Sequence, residues 1–227
     1  MNDKTVRPLL ITIDGPAGAG KSTVAKNAAG KLGLPYLDTG AIYRAVTWWL
    51  KEANISPQET MKLEAALKGL SVSLSVDGLS VNGRDVTAEI RTSDVDEAVS
   101  SYSALKPVRD ALIGLQREQA SKGLVADGRD MGTVVFPDAD LKIFLTADAA
   151  ERAKRRYKER LDRGEKAEYE EILKYVNERD LYDMNREIAP LRPALGCVIL
   201  DSTNMSVEQV TDIIVCLAKE LRDTKTN

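Results

Sequence analysis

Apolar and polar positions change period between Leu9 and Leu32. Leu9 to Ile13 is a short run rich in β-branched residues, the pattern of a strand buried on both faces. Thr23 to Leu32 then places Val24, Ala28 and Leu32 at helical spacing. The alternation continues. Pro35 to Leu37 predicts a second short strand ending in Asp38-Thr39-Gly40, and Ala41 to about Ala53 a helix. Trp48 and Trp49 are adjacent, so one helix cannot turn both to the same core, and one is expected to pack under a second domain. Pro57 opens a further helix, with Met61, Leu63, Ala66, Leu67 and Leu70 as its apolar positions.

From Ser71 the period falls to two. Val72, Leu74 and Val76 share one face and serines the other, Asp77-Gly78 is a turn signal, Leu79 and Val81 follow, and Asn82-Gly83 is a second turn signal. Antiparallel hairpins interrupting alternating strands and helices, the signature of a parallel sheet, indicate an insertion. The expected division is a core of residues 1–62 and 106–227 around an inserted domain of residues 63–105. Lys106 to Lys122 reads as a returning helix, Gly123 to Ala126 and Leu141 to Leu145 as strands. Ala149 to Arg163 and Tyr169 to Glu187 read as helices, Val198 to Leu200 as the last strand, and Val207 to Leu221 as an amphipathic terminal helix.

Composition narrows the function more than the fold. The 227 residues, 43% hydrophobic and 30% charged, suffice for one good core with a smaller appendage. A net charge of −3 and a pI near 5.3 argue against a polyanion-binding surface, so no nucleic-acid partner is expected. Met1 to Pro8 is polar and the next apolar run is too short to span a bilayer, so no membrane is expected and the cytoplasm is the expected compartment. Cys197 and Cys216 fall at apolar positions of predicted elements and are expected to be buried, reduced thiols. Histidine is absent, which excludes serine–histidine and cysteine–histidine hydrolysis. Phosphoryl transfer fits such a chain, because it rests on positioning and on charge neutralisation by Lys, Arg and Mg²⁺.

Gly15 to Ser22, GPAGAGKS, joins the first strand to the first helix and satisfies the phosphate-loop pattern of a glycine, four free positions, Gly20, Lys21 and Ser22. Its glycines let successive backbone N–H groups turn inward around a phosphate at the positive end of a helix. Lys21 can reach the β- and γ-phosphates of a nucleotide, and the Ser22 hydroxyl can help to hold Mg²⁺. The alternative is a glycine-rich turn with a solvated lysine, which lacks a reason for the full pattern in its full context.

Three other places carry charge where periodicity alone would not put it. In the helix from Tyr169, one stripe runs through Ile172, Val176, Arg179, Asp183 and Arg186, apolar first and then charged. Its second half is either an ion-pair ladder on a solvated end or a ligand surface beside a nucleotide. In the helix from Ala149, Arg152, Arg156, Arg160 and Arg163 share a face; they either belong to a solvated helix supported by Glu151–Arg155 and Glu159–Arg163 pairs or close over transferring phosphates through Gly164. Asp127 follows the apolar Leu124-Val125-Ala126 and is either a turn former or the strand-end acid that organises Mg²⁺ beside a phosphate loop. Ligands bind beyond the carboxyl ends of parallel strands, which would gather Asp14, Asp38, Asp127 and Arg129 at the loop's edge.

Taken together, GPAGAGKST at Gly15 to Thr23, DTGAIYRA at Asp38 to Ala45, DVTAEIR at Asp85 to Arg91, PVR at Pro107 to Arg109, DGRDMGTVVFPDADLKIFL at Asp127 to Leu145 and DMNREIAPL at Asp183 to Leu191 resemble the bacterial cytidylate kinases, a branch of the nucleoside monophosphate kinases. The resemblance runs from about Ile11 to the terminal helix. It implies an α/β phosphate-loop kinase fold: a parallel sheet flanked by helices, a small inserted antiparallel β domain for the monophosphate, and a helical lid at about residues 150–168. It implies transfer of a phosphoryl group from ATP, with Mg²⁺, to the small-molecule acceptors CMP and dCMP, by a monomer.

By the same resemblance ATP lies on Gly15, Pro16, Ala17, Gly18, Ala19, Gly20, Lys21, Ser22 and Thr23, and Ser22 and Asp127 are the metal positions. Arg44, Arg129 and Arg186 contact the acceptor phosphate, Ser100, Arg109 and Asp130 read cytosine, and Arg179 with Asp183 addresses the sugar. Thr39, Tyr43 and Asp127 complete the CMP set, and Arg152 and Arg156 join Lys21 as the catalytic cations. The chemistry is intelligible: arginine grips phosphate through planar paired hydrogen bonds, and Asp130 can accept from the exocyclic amine of cytosine where uracil presents a carbonyl oxygen. That predicts CMP and dCMP over UMP. No general base is expected. A kinase for UMP, AMP or a non-nucleotide acceptor is the nearest alternative. A nucleotide-dependent switch is a more distant one, opposed by the acceptor-side arginines and the absence of an Asn-Lys-x-Asp motif.

Overall fold

The structure, a computed structural model, describes residues 8–75 and 78–226. Val76 and Asp77 of the first expected hairpin, the polar start up to Arg7, and Asn227 lie outside the described residues. Two compact units result: residues up to Leu37 together with those from Glu118 onward, and Asp38–Arg117.

In the first unit β1 (Leu10–Asp14) leads through the glycine-rich loop into α1 (Lys21–Leu32), and β2 (Tyr36–Asp38) follows. β6 (Leu124–Gly128), β7 (Leu141–Thr146) and β8 (Val198–Asp201) complete a five-stranded sheet in the order β2-β6-β1-β7-β8. β1 pairs in parallel with β6 and with β7, and β7 in parallel with β8. All five residues of β1 are buried, so the run shows no alternation; a central parallel strand is covered on both faces. Ile11, Ile13, Ile143 and Leu145 form the core with Val24, Ala25 and Ala28 of α1 and Val210, Ile214 and Ala218 of α8 (Val207–Thr226). α6 (Ala149–Asp162) and α7 (Tyr169–Asn185) pack on each other around Ala153, Ile172 and Val176.

Register sets up the chemistry, because Ile13 faces Asp127 and Asp14 faces Gly128. The phosphate loop and the Asp127–Asp130 segment therefore leave neighbouring strands at the same edge, where open parallel sheets bind ligands. Gly15 makes the exit possible. Its φ is +150°, and a Cβ there would lie 1.9 Å from the Leu145 carbonyl oxygen of β7. Gly15→Ala is expected to cost about 3 kcal/mol or more through this backbone clash. A urea melt measures it, and a midpoint equal to that of the parent would mean that β7 yields without strain.

The second unit holds α2 (Thr39–Glu52), α3 (Thr60–Leu67), the strands β3 (Val72–Leu74), β4 (Leu79–Val81) and β5 (Arg84–Asp85), and α4 (Ser93–Ser103) with most of α5 (Lys106–Glu118). The three strands form an antiparallel meander in sequence order, as their alternation predicts. Asn82 and Gly83 both take positive φ, the geometry of a two-residue hairpin turn that follows strand twist. Residues 63–105 all fall within this unit, which also holds α2 and most of α5; α2 packs on α4 and β4 through a face that includes Ile42, Val46 and Leu50. A change of period marks where strands begin, but not which neighbouring helices pack on them.

Several local expectations are corrected. The third helix begins at Thr60, and with only eight residues it turns Leu63 and Leu67 inward while Met61 is 86% exposed. Cys216 is exposed and Cys197 half-buried, not buried thiols: the inward stripe of α8 is Val210, Ile214 and Ala218, two residues out of step with Cys216, and Cys197 precedes the edge strand β8. The returning helix α5 ends at Glu118 and gives way to a 3₁₀ turn over Gln119–Lys122. Trp48 and Trp49 are both half-buried, and Trp48 carries the Arg84 guanidinium 4.6 Å over its ring. Among the described residues no helix is long and apolar enough to cross a membrane.

Candidate active site

Helix α1 starts without conventional capping. Gly20 occupies its N-cap position with φ 89°, no side chain caps the first turn, and no acidic residue lies in it. The first N–H groups and the positive end of the helix are thus presented to an anion. Pro16, Ala17 and Ala19 are buried in the loop wall, while Ser22 and Thr23 face outward. Lys21 is buried, and its Nζ donates to the Pro16 carbonyl at 2.8 Å across the loop's own mouth. Burial lowers its pKa well below the usual lysine value, repulsion from Arg129 adds to the effect, and the charges of Asp127 and Asp14 oppose it.

Asp127 closes the other side. Its Oδ2 accepts from the Ser22 hydroxyl at 2.9 Å and its Oδ1 from the Tyr36 hydroxyl at 2.8 Å. Both proposed metal positions are therefore hard oxygen donors held in contact. That suits Mg²⁺, which takes one or two protein oxygens and completes its octahedron with water and phosphate. Among the described residues no cluster of three acidic, Cys or His side chains offers a full protein cage.

Beyond Asp127 the turn carries Arg129 and Asp130 and then winds one π-helical turn over Met131–Val135. Arg129 Nε is 3.0 Å from Asp183 Oδ2 of α7, and Arg186 lies 3.9 Å from both Asp183 Oδ1 and Asp130 Oδ1. Helix α7 stops at Asn185, two residues short of the expected Glu187, so Arg186 sits past the helix end in extended conformation, with its Nε donating to Ala189 O. The charged half of the stripe is accordingly buried, not a frayed solvated ladder: Asp183, Arg179 and Arg186 are 2%, 8% and 9% exposed. Arg179 stacks its guanidinium 5.9 Å over Tyr175 and donates to that hydroxyl at 3.3 Å, while Arg156 lies 5.5 Å over the same ring.

Arg152 is the most tightly held of the arginines in α6. It is buried, donates to Ala147 O at 2.8 Å and to Ala17 O of the phosphate loop at 3.1 Å, and pairs with Asp180 at 2.6 Å. Arg155 pairs with Glu151 as the spacing predicts, and also donates to Ala19 O and to Ser202 O, at 3.4 and 2.8 Å. The Glu159–Arg163 pair forms on the exposed face. In the second unit Thr39 and Tyr43 are buried at the start of α2, and the Arg109 guanidinium lies 5.4 Å over the Tyr43 ring and donates to Ser103 O. Arg44 pairs with Asp96 at 2.9 Å. The covered Ser100 hydroxyl has no hydrogen-bond partner among the described residues.

The family model described as cytidylate kinase matches residues 11–220. The chain belongs to the cytidylate kinase family. A cytidylate kinase of Thermosipho melanesiensis is 45% identical over 94% of this chain and 98% of its own. Those of Fusobacterium nucleatum, 43% identical over 96% and 99%, and Caldicellulosiruptor saccharolyticus, 44% identical over 90% and 93%, are similar throughout. For a member of the cytidylate kinase family, periodicity and motif reach the loop, Asp127 and the α7 stripe. They miss Tyr36, Asp180, Tyr175, Ser202 and the inward role of Arg155. Apart from the Tyr175–Arg179 contact, which spans four residues within α7, their partners lie on other elements, so no local spacing signals them.

Proposed function

We propose that the chain transfers the γ-phosphoryl group of ATP to CMP or dCMP, giving ADP and CDP or dCDP. The buried group of Arg129, Asp130, Asp183 and Arg186, at the sheet edge that also bears the phosphate loop, carries this reading. A loop that only bound and hydrolysed a triphosphate would have no use for a group of guanidiniums buried beside it, since burying charge is costly.

In this reading the backbone N–H groups of Gly15 to Thr23 hold the donor phosphates. Lys21, Arg152 and Arg156 neutralise the charge that spreads over the transferring group; the bond from Arg152 to Ala17 O supports its place at the loop's rim. Arg44, Arg129 and Arg186 orient the acceptor phosphate, aided by Thr39, Tyr43 and Asp127. Arg179 and Asp183 position the sugar, and Ser100, Arg109 and Asp130 read the base. Ser22 and Asp127 would hold Mg²⁺, which neutralises the phosphate oxygens when bound. Proton removal requires no dedicated side chain here, since positioning and charge supply most of the acceleration.

One panel tests the acceptor: CMP, dCMP, UMP and AMP assayed at equal ATP and Mg²⁺ by coupled ADP release. CMP and dCMP are expected to lead UMP by at least about tenfold in kcat/KM, the worth of one hydrogen bond to a charged group. Preference for AMP, or equal rates with CMP and UMP, would overturn the assignment of Asp130. ADP release independent of any acceptor would overturn the kinase itself.

A further inference from the structure

Asp14 ends β1 one residue before the phosphate loop and is 3% exposed. Its Oδ1 accepts from the Met131 N–H at 2.8 Å and its Oδ2 from the Gly132 N–H at 2.7 Å. These are the first two N–H groups of the π-helical turn Met131–Val135, donors that a helix cannot satisfy internally. Normally the N-cap side chain serves them, and aspartate is among the best residues for the task. The N-cap here is an aspartate, Asp130, yet its side chain makes no bond to its own turn. Its backbone carbonyl closes the turn from inside by accepting from Val134 and Val135.

We infer that Asp14 is a positioning residue for the acceptor base: it caps the Met131 turn from the neighbouring strand, and so keeps the Asp130 carboxylate off its own backbone and directed to the cytosine amine. The inference rests on the assignment of Asp130 to the base. Three further features fit it. Gly132 is closely enclosed beside the clamp: a Cβ there would lie 3.0 Å from Thr12 Oγ1 and 3.2 Å from Ala194 Cβ, and in contact with Asp14 Oδ2 at 3.4 Å. The Asp130 carboxylate lies 3.9 Å from Arg186 and does not cap the turn it precedes. Burial raises the Asp14 pKa to about 7 against the pull of the Gly132 and Met131 N–H donors, with Asp130 adding to the rise and Lys21 opposing it, so an expensive buried carboxylate is retained where its two oxygens serve those two donors.

Asp14→Asn keeps the shape but sets an amide NH₂ against one of the two N–H donors. Asp130 then becomes the nearest available cap. The preference for CMP over UMP in kcat/KM is expected to fall about 10- to 100-fold, mostly through KM for CMP, with KM for ATP within about threefold of the parent. Selective ¹⁵N labelling should show faster hydrogen exchange at Met131 and Gly132, a readout that needs no turnover. Gly132→Ala, which crowds the clamp while leaving Asp14 intact, should shift the preference in the same direction and serves if Asp14→Asn folds poorly. Asp130→Ala, measured alongside, separates the two assignments. An unchanged preference in Asp130→Ala removes base reading from Asp130 and the purpose of the clamp with it. A collapsed preference there with an unchanged one in Asp14→Asn leaves base reading standing and overturns the positioning role. A rise in KM for ATP as large as that for CMP would assign Asp14 to the phosphate loop instead.

Discussion

Lys21→Ala is expected to lower kcat about 10²- to 10³-fold while leaving the fold nearly intact. The lysine is buried, and its Nζ reaches across the phosphate loop to Pro16 O, so the ammonium stands where donor phosphates meet the helix end. Its charge is held against a desolvation cost and against Arg129. A cation kept in place at that cost does most where negative charge develops, in the transferring group. Folding suffers little because removal relieves the repulsion with Arg129 even as Asp127 and Asp14 lose an attraction. A coupled ADP-release assay with a thermal melt on the same preparation tests both halves. Turnover near that of the parent would take Lys21 out of the transfer step, and a melt lowered by ten degrees or more would make its role structural.

How far such a site is legible in the sequence depends on whether its contacts are local. Gly15 to Ser22 is one continuous turn between one strand and one helix, so its residue types alone announce a phosphate. The α7 stripe is equally local, but its passage from Ile172 and Val176 to Arg179 and Asp183 leaves a solvated ladder and an inward charge both open, and burial decides for the second. What completes it is not local. Asp183 meets Arg129 across 54 residues, Asp127 meets Tyr36 across 91, and Asp14 reaches Met131 across 117. The last two depend on the strand order β2-β6-β1-β7-β8 and the first on where α7 packs, and no period encodes either. The resemblance to a known family assigns residue roles without assigning contacts, so it names Arg152 as a catalytic cation but not its bonds to Ala17 and Asp180. Cys216 shows a different limit: an apolar residue type within an amphipathic helix says little when its phase is two residues away from the buried stripe.

Asp183→Ala is expected to destabilise the protein by about 3–5 kcal/mol, the cost of leaving buried charge without its partner. Asp183 is 2% exposed, Arg129 lies 3.0 Å from one of its oxygens and Arg186 3.9 Å from the other, and Arg179 adds its charge nearby. With the carboxylate gone, three guanidiniums, two of them less than a tenth exposed, crowd one pocket. Asp183→Asn preserves the shape and separates lost charge from lost packing; if charge dominates, the two variants should be similarly unstable. The dependence on pH follows from the same geometry. Desolvation pushes the Asp183 pKa up, but Arg129, Arg179 and Arg186 together outweigh it and hold it below the ordinary aspartate value of 3.8. A carboxylate whose pKa is lower in the folded state stabilises the fold above its unfolded pKa, and that stabilisation is lost as pH falls through the folded value. The gap in unfolding free energy between the parent and Asp183→Asn should therefore hold steady from pH 7 to about pH 5 and close below the ordinary aspartate value. A gap under about 1 kcal/mol at pH 7 is what a solvent-screened surface pair would give, and it would mean that the pocket is wetter than its burial implies.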